Sequence, residues 1–170
     1  ASDVYKRQHI QLYTNKLKNL NFLKNLENLR LLDVSYNQIE SLKKEIFRNL
    51  AKLNQLTLRA NRIKYIDKYT FENTGSLTFL DLSENYLNVL NKTEYLNSLS
   101  HLQQIFLNKN GIEKLEFIPF GYQLERLELK SNKINHIESD AFKNMKNLLY
   151  LFLEYNHIQV LNKNVFIFLE

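Results

Sequence analysis

The stretch LTFLDLSENYLNVL, residues 77–90, contains the pattern that decides the fold of this 170-residue chain. Leucine alternates with other residues in its first half, which is typical of a short strand that buries one face. One asparagine, Asn85, stands in the middle of the leucines. Asparagine is a poor strand former and is costly to bury without hydrogen-bond partners, so Asn85 must have a structural task.

The same template recurs along almost the whole chain. Apolar residues stand eight, five and three positions before each of seven asparagines, and two and five positions after it. The steps between these asparagines are 22, 24, 24, 25, 22 and 24 residues, and only the earliest copy is degraded, with Arg7 in its first apolar place. The seven anchors, which we call the ladder asparagines, are Asn15, Asn37, Asn61, Asn85, Asn110, Asn132 and Asn156.

A strand of this kind cannot bury its apolar face alone, so the copies must stack on one another. Stacking in register gives a parallel sheet on one side of a right-handed coil, with a continuous leucine core inside it. Where the chain turns inward after each strand, backbone groups are buried without a ladder partner. The asparagine amide has both donors and an acceptor, so we expect it to bind backbone groups of its own turn and of the next coil.

The template L-x-x-L-x-L-x-x-N-x-[LI] resembles the leucine-rich repeat, and the likeness covers the chain from about Ile10. An aromatic residue stands ten positions after most anchors, at Phe47, Phe71, Tyr95, Phe120, Phe142 and Phe166. This feature and the period near 24 resemble the typical subclass found in Toll-like receptor ectodomains, small proteoglycans, neuronal adhesion proteins and insect leucine-rich immune proteins. The resemblance implies an α/β solenoid or horseshoe of about seven repeats. Its parallel sheet would form the concave face, and loops and short helical turns the convex face.

Two repeats depart from this subclass because they are only 22 residues long. The first of them has Asn25 where phenylalanine is expected, and the third complete repeat carries Thr74-Gly75 in place of an apolar residue. The short first repeat resembles those of intracellular phosphatase regulators and bacterial internalins. An intracellular scaffold or regulatory subunit, and a bacterial or viral surface protein, therefore stay open as alternatives.

Composition favours one domain over residues 1–170. With three glycines and one proline the chain has no flexible linker, and its longest apolar run is too short to cross a bilayer. Residues 1–8 fit the repeat badly, and we expect them to be foreign or disordered. The chain has neither cysteine nor the polar caps that repeat stacks need, which predicts an internal fragment of a longer protein.

The residues that carry chemistry do not assemble into a catalytic or cofactor pattern. The four histidines, His9, His101, His136 and His157, lack a metal-ligand spacing, so we expect no metal, no cofactor and no enzyme activity. The net charge of +5 comes from cations that are interleaved with carboxylates, which predicts a solvated surface and no nucleic-acid partner. Asn91 begins the only N-x-[ST] triplet and is a weak candidate for glycosylation.

The outer face of the predicted sheet is the best candidate for a binding surface. It is formed by the residues six, four and two positions before each ladder asparagine. Aromatic side chains there are expected to be exposed, flanking a charged stretch, and exposed aromatics are typical anchors of recognition. They also stabilise sheets as cross-strand pairs, so a purely structural role stays open. The candidate ligand-binding residues are Leu31, Phe79, Phe106, Arg126, Glu128, Lys130, Tyr150 and Phe152.

The pattern and the resemblance together predict a protein–protein recognition module. The resemblance implies an extracellular or cell-surface protein of immunity or adhesion that binds a protein ligand or co-receptor, without membrane contact by this segment. A cytoplasmic location is the alternative. The sequence makes no prediction about the oligomeric state.

Overall fold

The computed structural model describes residues 8–88, 93–118 and 120–169, and within these ranges the chain forms a parallel β-solenoid. One sheet contains seven three-residue strands in the order β1-β2-β4-β6-β7-β9-β11. Each strand pairs with the equivalent positions of its neighbours, as in Phe79 opposite Gln55 and Gln104. The strands are β1 (His9–Gln11), β2 (Leu31–Asp33), β4 (Gln55–Thr57), β6 (Phe79–Asp81), β7 (Gln104–Phe106), β9 (Arg126–Glu128) and β11 (Tyr150–Phe152).

Shorter strands line the wall of the coil that follows the asparagine turn. Four of them form two parallel pairs, β3 (Ser41–Leu42) with β5 (Tyr65–Ile66) and β8 (Lys114–Leu115) with β10 (His136–Ile137). Two 3₁₀ helices, Asn21–Asn25 and Thr93–Leu96, are the helical elements among the described residues, and the rest of the convex side is turns. The predicted solenoid is therefore confirmed, with little helix.

The core is a column of leucine and isoleucine that runs the length of the coil. The middle residue is almost fully buried in β2, β4, β6, β7 and β9, and half-buried in β1 and β11 at the two ends of the sheet. On the convex side the ring of Phe71 packs between Phe47 and Tyr95, with centroids 5.6 and 6.4 Å away. Phe142 stacks on Phe166 in the same way at 6.1 Å. These rings form a spine that holds successive convex turns together.

The spine changes in the two 22-residue repeats. In the first of these repeats, Leu23 is buried at the spine position. Asn25, which the repeat template places there, is exposed. In the second, Ile118 is buried and its N–H donates to Ala141 O, while Phe120 forms no ring pair with the described residues. In the first of these repeats Leu23 therefore takes the place of the ring, whereas the second keeps a buried ring, Phe120, beside Ile118.

The residue before each ladder asparagine adopts a left-handed backbone conformation. Its φ lies between 51° and 58° in all seven repeats, although none of these residues is glycine. Such a conformation costs a non-glycine residue about 1–2 kcal/mol. Its N–H donates to the following coil, as from Glu84 to Asn108 O at 2.8 Å, so the turn is fixed by hydrogen bonds. The seven residues are Thr14, Tyr36, Ala60, Glu84, Lys109, Ser131 and Tyr155.

Among the described residues, the structure contains no helix with the length and apolar character that a membrane crossing requires.

Candidate ligand-binding face

The ladder asparagines fix the strand ends that carry the concave face. Asn85 Nδ2 donates to the carbonyl oxygens of Leu58, Leu82 and Ser83 at 3.1, 3.0 and 3.1 Å. Its Oδ1 accepts from Ile63 N–H at 2.9 Å. Leu58 and Ile63 belong to the preceding coil, so the sequence expectation of bonds to the next coil is wrong in direction. The Asn85 side chain thus bonds to the preceding coil, whereas the backbone N–H of Glu84 beside it donates to Asn108 O of the following coil.

The first ladder asparagine shows what the preceding coil contributes. Asn15 is exposed, and its Nδ2 donates only to Leu12 O and Tyr13 O of its own turn, at 3.1 and 3.2 Å. In the next coil, Asn37 accepts from Leu17 N–H at 2.9 Å and donates to Leu12 O at 2.9 Å. Each later repeat is therefore tied to the one before it through its asparagine amide, which is buried in every case except the half-buried Asn156.

Strand register brings seven of the eight candidate binding residues together at one end of the concave face. Tyr150 lies opposite Arg126, and Phe152 opposite Glu128. Phe106 lies beside Glu128 on the other side. Leu31 is apart from this group, because Gln55 of β4 separates it from Phe79. We define the arginine patch as Phe106, Arg126, Glu128, Lys130, Tyr150 and Phe152.

Arg126 is the centre of the arginine patch. Its guanidinium carbon lies 4.6 Å from the ring centroid of Phe152, 5.5 Å from Phe106 and 5.6 Å from Tyr150. Its Nε and Nη2 donate to Glu128 Oε1 at 2.8 and 2.5 Å. The guanidinium therefore has aromatic rings around it and a carboxylate at its edge, so its charge is neutralised within the protein.

Glu128 is buried rather than solvent-facing, which corrects the expected exposed charged stretch. Its Oε2 accepts a hydrogen bond from Asn108 Nδ2 at 2.6 Å, and only 7% of the residue is exposed. Asn108 is itself held by Lys130 N–H, which donates to its Oδ1 at 2.8 Å. The Lys130 ammonium lies 4.2 Å from the Phe152 ring centroid and 3.4 Å from Glu154 Oε1. Asn108 was not among the candidate residues, although it stands in the same column as Lys130.

The aromatic rings are less exposed than the sequence suggested. Phe79 and Phe106 are half-buried against one another, with centroids 5.1 Å apart, and Phe152 is half-buried beneath Tyr150. Tyr150 alone of these four is exposed, at 54%. Packing of the rings against one another leaves the three phenylalanines half-buried, so Tyr150 is the most exposed of the four rings.

A second polar group lies along the rim, where the third column of the sheet meets the turn. Glu84 Oε1 accepts from Arg59 Nη2 at 2.7 Å and from Lys109 Nζ at 3.2 Å. The hydrogen bond from Arg59 is the main reason why the pKa of Glu84 lies below its ordinary value. Asp81 differs, because burial raises its pKa even though Ser83 hydrogen-bonds its carboxylate. Spacing could have indicated the pair of Lys109 with Glu84, since both stand one position before a ladder asparagine in adjacent coils, but Arg59 stands two positions before its own.

No group of three or more histidines, cysteines or carboxylates that could hold a metal ion occurs within residues 8–88, 93–118 and 120–169. His101 sits on a loop, with its Nδ1 2.9 Å from Gly75 O. Asn91 lies outside the described residues.

A protein-family model described as "Leucine rich repeat" matches residues 27–87 and 123–170, which is more than half of the chain. The chain belongs to the leucine-rich repeat family. The family is generally a non-enzymatic fold for protein interaction. No curated protein sequence matches this leucine-rich repeat chain.

Solved structures share the solenoid over nearly its whole length. A chain of the crystal structure of the TLR13–ssRNA13 complex superposes with a TM-score of 0.89 and 26% sequence identity, over 96% of this chain and 23% of that one. The octameric complex of Latrophilin 3, Unc5D and the leucine-rich repeats of FLRT2 matches with a TM-score of 0.79 and 28% identity, over 89% and 46%. The predicted resemblance to Toll-like receptor ectodomains is thus confirmed. This leucine-rich repeat chain spans less than half the length of either match.

Proposed function

We propose that the chain is the ligand-recognition segment of an extracellular or cell-surface receptor or adhesion protein, and that its concave face binds a protein partner through the arginine patch. The observation that carries the proposal is the packing of three aromatic side chains around the neutralised guanidinium of Arg126. Aromatic residues and arginine are the side chains most often found as energetic anchors of protein interfaces. A rigid cluster of this kind also loses little side-chain entropy when a partner binds.

The charges of the concave face favour protein over nucleic acid. Arg126 pairs with Glu128, Lys130 with Glu154, and Arg59 with Glu84. A phosphate backbone is attracted by cations that are free to replace its counterions, and these three already have carboxylate partners. TLR13 was solved with single-stranded RNA, and FLRT2 in a complex with other proteins. We expect this chain to resemble FLRT2 in the class of its partner.

A matched set of variants tests the concave face. The chain would be used as bait against an array of purified cell-surface ectodomains, and each partner found would be measured again with Tyr150→Ala. We expect this change to weaken binding at least about tenfold, because truncation of an aromatic anchor typically costs more than 1 kcal/mol. Tyr150 is exposed, so the melting temperature should change little.

Tyr65→Ala is the control for this experiment. Tyr65 is equally exposed, at 57%, but it lies in β5 on another wall of the coil. The concave-face proposal fails if both variants weaken binding alike, or if single-stranded RNA binds more tightly than any protein in the array. Phe106→Ala distinguishes a packing role of the rings from a binding role. An equal loss of stability and of binding would make Phe106 a packing residue.

The extracellular location has its own test. We expect an impermeant biotin reagent to label the full-length protein on intact cells that express it. Labelling only after the cells are lysed would favour the cytoplasmic scaffold or regulatory subunit.

A further inference from the structure

A basic cleft opens on the side of the coil between the first two repeats, away from the arginine patch. Its volume is about 1140 Å³, and its walls come from residues 18–21 and 23–25 of the first repeat and residues 38, 40–46, 48 and 49 of the second, with Arg62 at its edge. Buried Leu20, Leu23 and Leu42 form part of its floor. This volume exceeds the roughly 300–1,000 Å³ of small-molecule pockets.

The short first repeat accounts for the position of the cleft. That repeat has 22 residues, and its convex segment is drawn in as the 3₁₀ helix Asn21–Asn25 with Leu23 in the core. The second repeat has two more residues and carries the Phe47 ring in the equivalent place. The cleft lies between these two convex segments of unequal length.

The lining of the cleft carries a surplus of positive charge. It contains six cations and two carboxylates, Glu40 and Glu45. Arg48 pairs with Glu45 at 3.4 Å, and the other five cations form no ion pair with any described residue. This contrasts with the concave face, where Arg59, Arg126 and Lys130 each have a carboxylate. The six cations are Lys18, Lys24, Lys43, Lys44, Arg48 and Arg62.

Four asparagines share the cleft with these cations: Asn19, Asn21, Asn25 and Asn49. A primary amide can accept from a peptide N–H and donate to a peptide carbonyl oxygen. None of the described lining residues is aromatic, so the cleft has no platform on which nucleic-acid bases could stack. Amides for a peptide backbone and ammonium groups for carboxylates are the combination that suits an extended acidic peptide.

We propose that this cleft is a docking site for an acidic peptide segment of a partner protein, separate from the concave face. The lysine side chains would bind glutamate or aspartate side chains of the segment. Asn49 Nδ2 already donates to Lys24 O and Asn19 Oδ1 accepts from Asn21 N–H, so the remaining amide groups of the four asparagines would bind its backbone. Because the cations are exposed, binding should weaken as the salt concentration rises.

The test is a fluorescence anisotropy titration of the chain with a labelled oligoglutamate peptide, at low and at high salt concentration. The double variant Lys24→Glu/Lys43→Glu should lose at least about tenfold in affinity, because two attractive charges become repulsive. The control Lys143→Glu/Lys146→Glu reverses two exposed lysines of a later repeat, so both variants have the same net charge. It should lose less than about threefold, because long-range charge effects are screened.

The titration has outcomes that overturn the proposal. An equal loss in both double variants would mean that the peptide responds to net charge alone. Absence of oligoglutamate binding at low salt, or equal binding of oligoglutamine, would exclude an acidic peptide as the ligand. Tighter binding of a heparin oligosaccharide or of oligouridylate, abolished by the same double variant, would assign the cleft to another polyanion.

A second measurement keeps the result independent of variant stability. Amide chemical shifts of the unchanged protein, followed during addition of oligoglutamate, should move in residues 18–25 and 38–49. Shifts confined to the concave strands would contradict the proposed location. The two proposals are tested independently. The oligoglutamate titration concerns only the basic cleft, and the ectodomain array with Tyr150→Ala concerns only the arginine patch.

Discussion

The interior of the coil and the concave face are formed by the same strands, yet their residues follow different rules. At the middle position of the inner strands, Leu56, Leu80 and Ile105 are all fully buried. At the position just before it, Gln55, Phe79 and Arg126 differ in size and polarity. An interior side chain packs against its own equivalents in the neighbouring coils, so the stack constrains its type. A concave side chain contacts solvent or a partner, and it is therefore free to carry specificity.

Asn85→Leu removes a hydrogen-bonded amide from the interior and should have the largest effect on the free energy of unfolding. The variant would leave Ile63 N–H without an acceptor, and Leu58 O, Leu82 O and Ser83 O would each keep one other donor. We expect a loss of about 1–3 kcal/mol in the free energy of unfolding, the range for a buried polar group left unpaired. Urea denaturation followed by circular dichroism measures it.

Asn15→Leu is the matched control, because it removes the same side chain from an exposed site. Asn15 bonds only within its own turn, so the loss should stay below about 1 kcal/mol. Equal losses for the two variants would show that the bonds between coils contribute little, which would contradict the ladder.

Tyr95→Phe changes the interior in the opposite direction and should stabilise the fold. The Tyr95 hydroxyl is buried and has no hydrogen-bond partner among the described residues, and burial raises the pKa of Tyr95 far above its ordinary value. Phe47 and Phe71 occupy equivalent places without a hydroxyl. Removal of the unpaired group should raise the free energy of unfolding by about 1 kcal/mol.

The reverse change, Phe71→Tyr, places a hydroxyl in the same spine and should lower the melting temperature. If Tyr95→Phe is destabilising instead, the Tyr95 hydroxyl has a hydrogen-bond partner in the folded protein and the prediction is wrong.

Glu84→Gln tests the rim of the concave face and should have the smallest effect. Because the pKa of Glu84 is lowered in the folded state, its ionised form stabilises the fold above the unfolded-state pKa of about 4.3. That contribution is lost as the pH falls through the lower folded-state value. The pairs are partly exposed, so the difference from the unchanged protein at neutral pH should be below about 1 kcal/mol.

The measurement is the difference in unfolding free energy between the two proteins at a series of pH values. Asp81 acts in the opposite sense, because its raised pKa makes the fold relatively more stable in acid, but it is present in both proteins and cancels. Glu72→Gln is the control, since Glu72 is exposed and forms no ion pair within the described residues. A pH-independent difference for Glu84→Gln would rule out the ion pairs as its cause.

The sequence predicted the parts of the fold that depend on repetition. The ladder asparagines, the inner strands and the columns of the concave face all follow from spacing, and so does the approach of Phe106 to Arg126. Spacing did not predict the burial of Glu128, because Asn108 and Arg126 enclose it from neighbouring coils. It also assigned the spine position of the first repeat to Asn25, since a template with fixed offsets cannot show where two residues are missing.

By itself, the sequence determined that each coil must stack on another one, because leucines on one face of a three-residue strand and a buried asparagine cannot be satisfied within a single repeat. Only the tertiary structure decided which charges are neutralised and which are free. The cations of the concave face meet carboxylates from their own or adjacent coils, while five of the six cations of the basic cleft, all except Arg48, form no ion pair with any described residue. Pairing depends on distances across the stack, and these are set by the shape of each coil rather than by the order of residues along it.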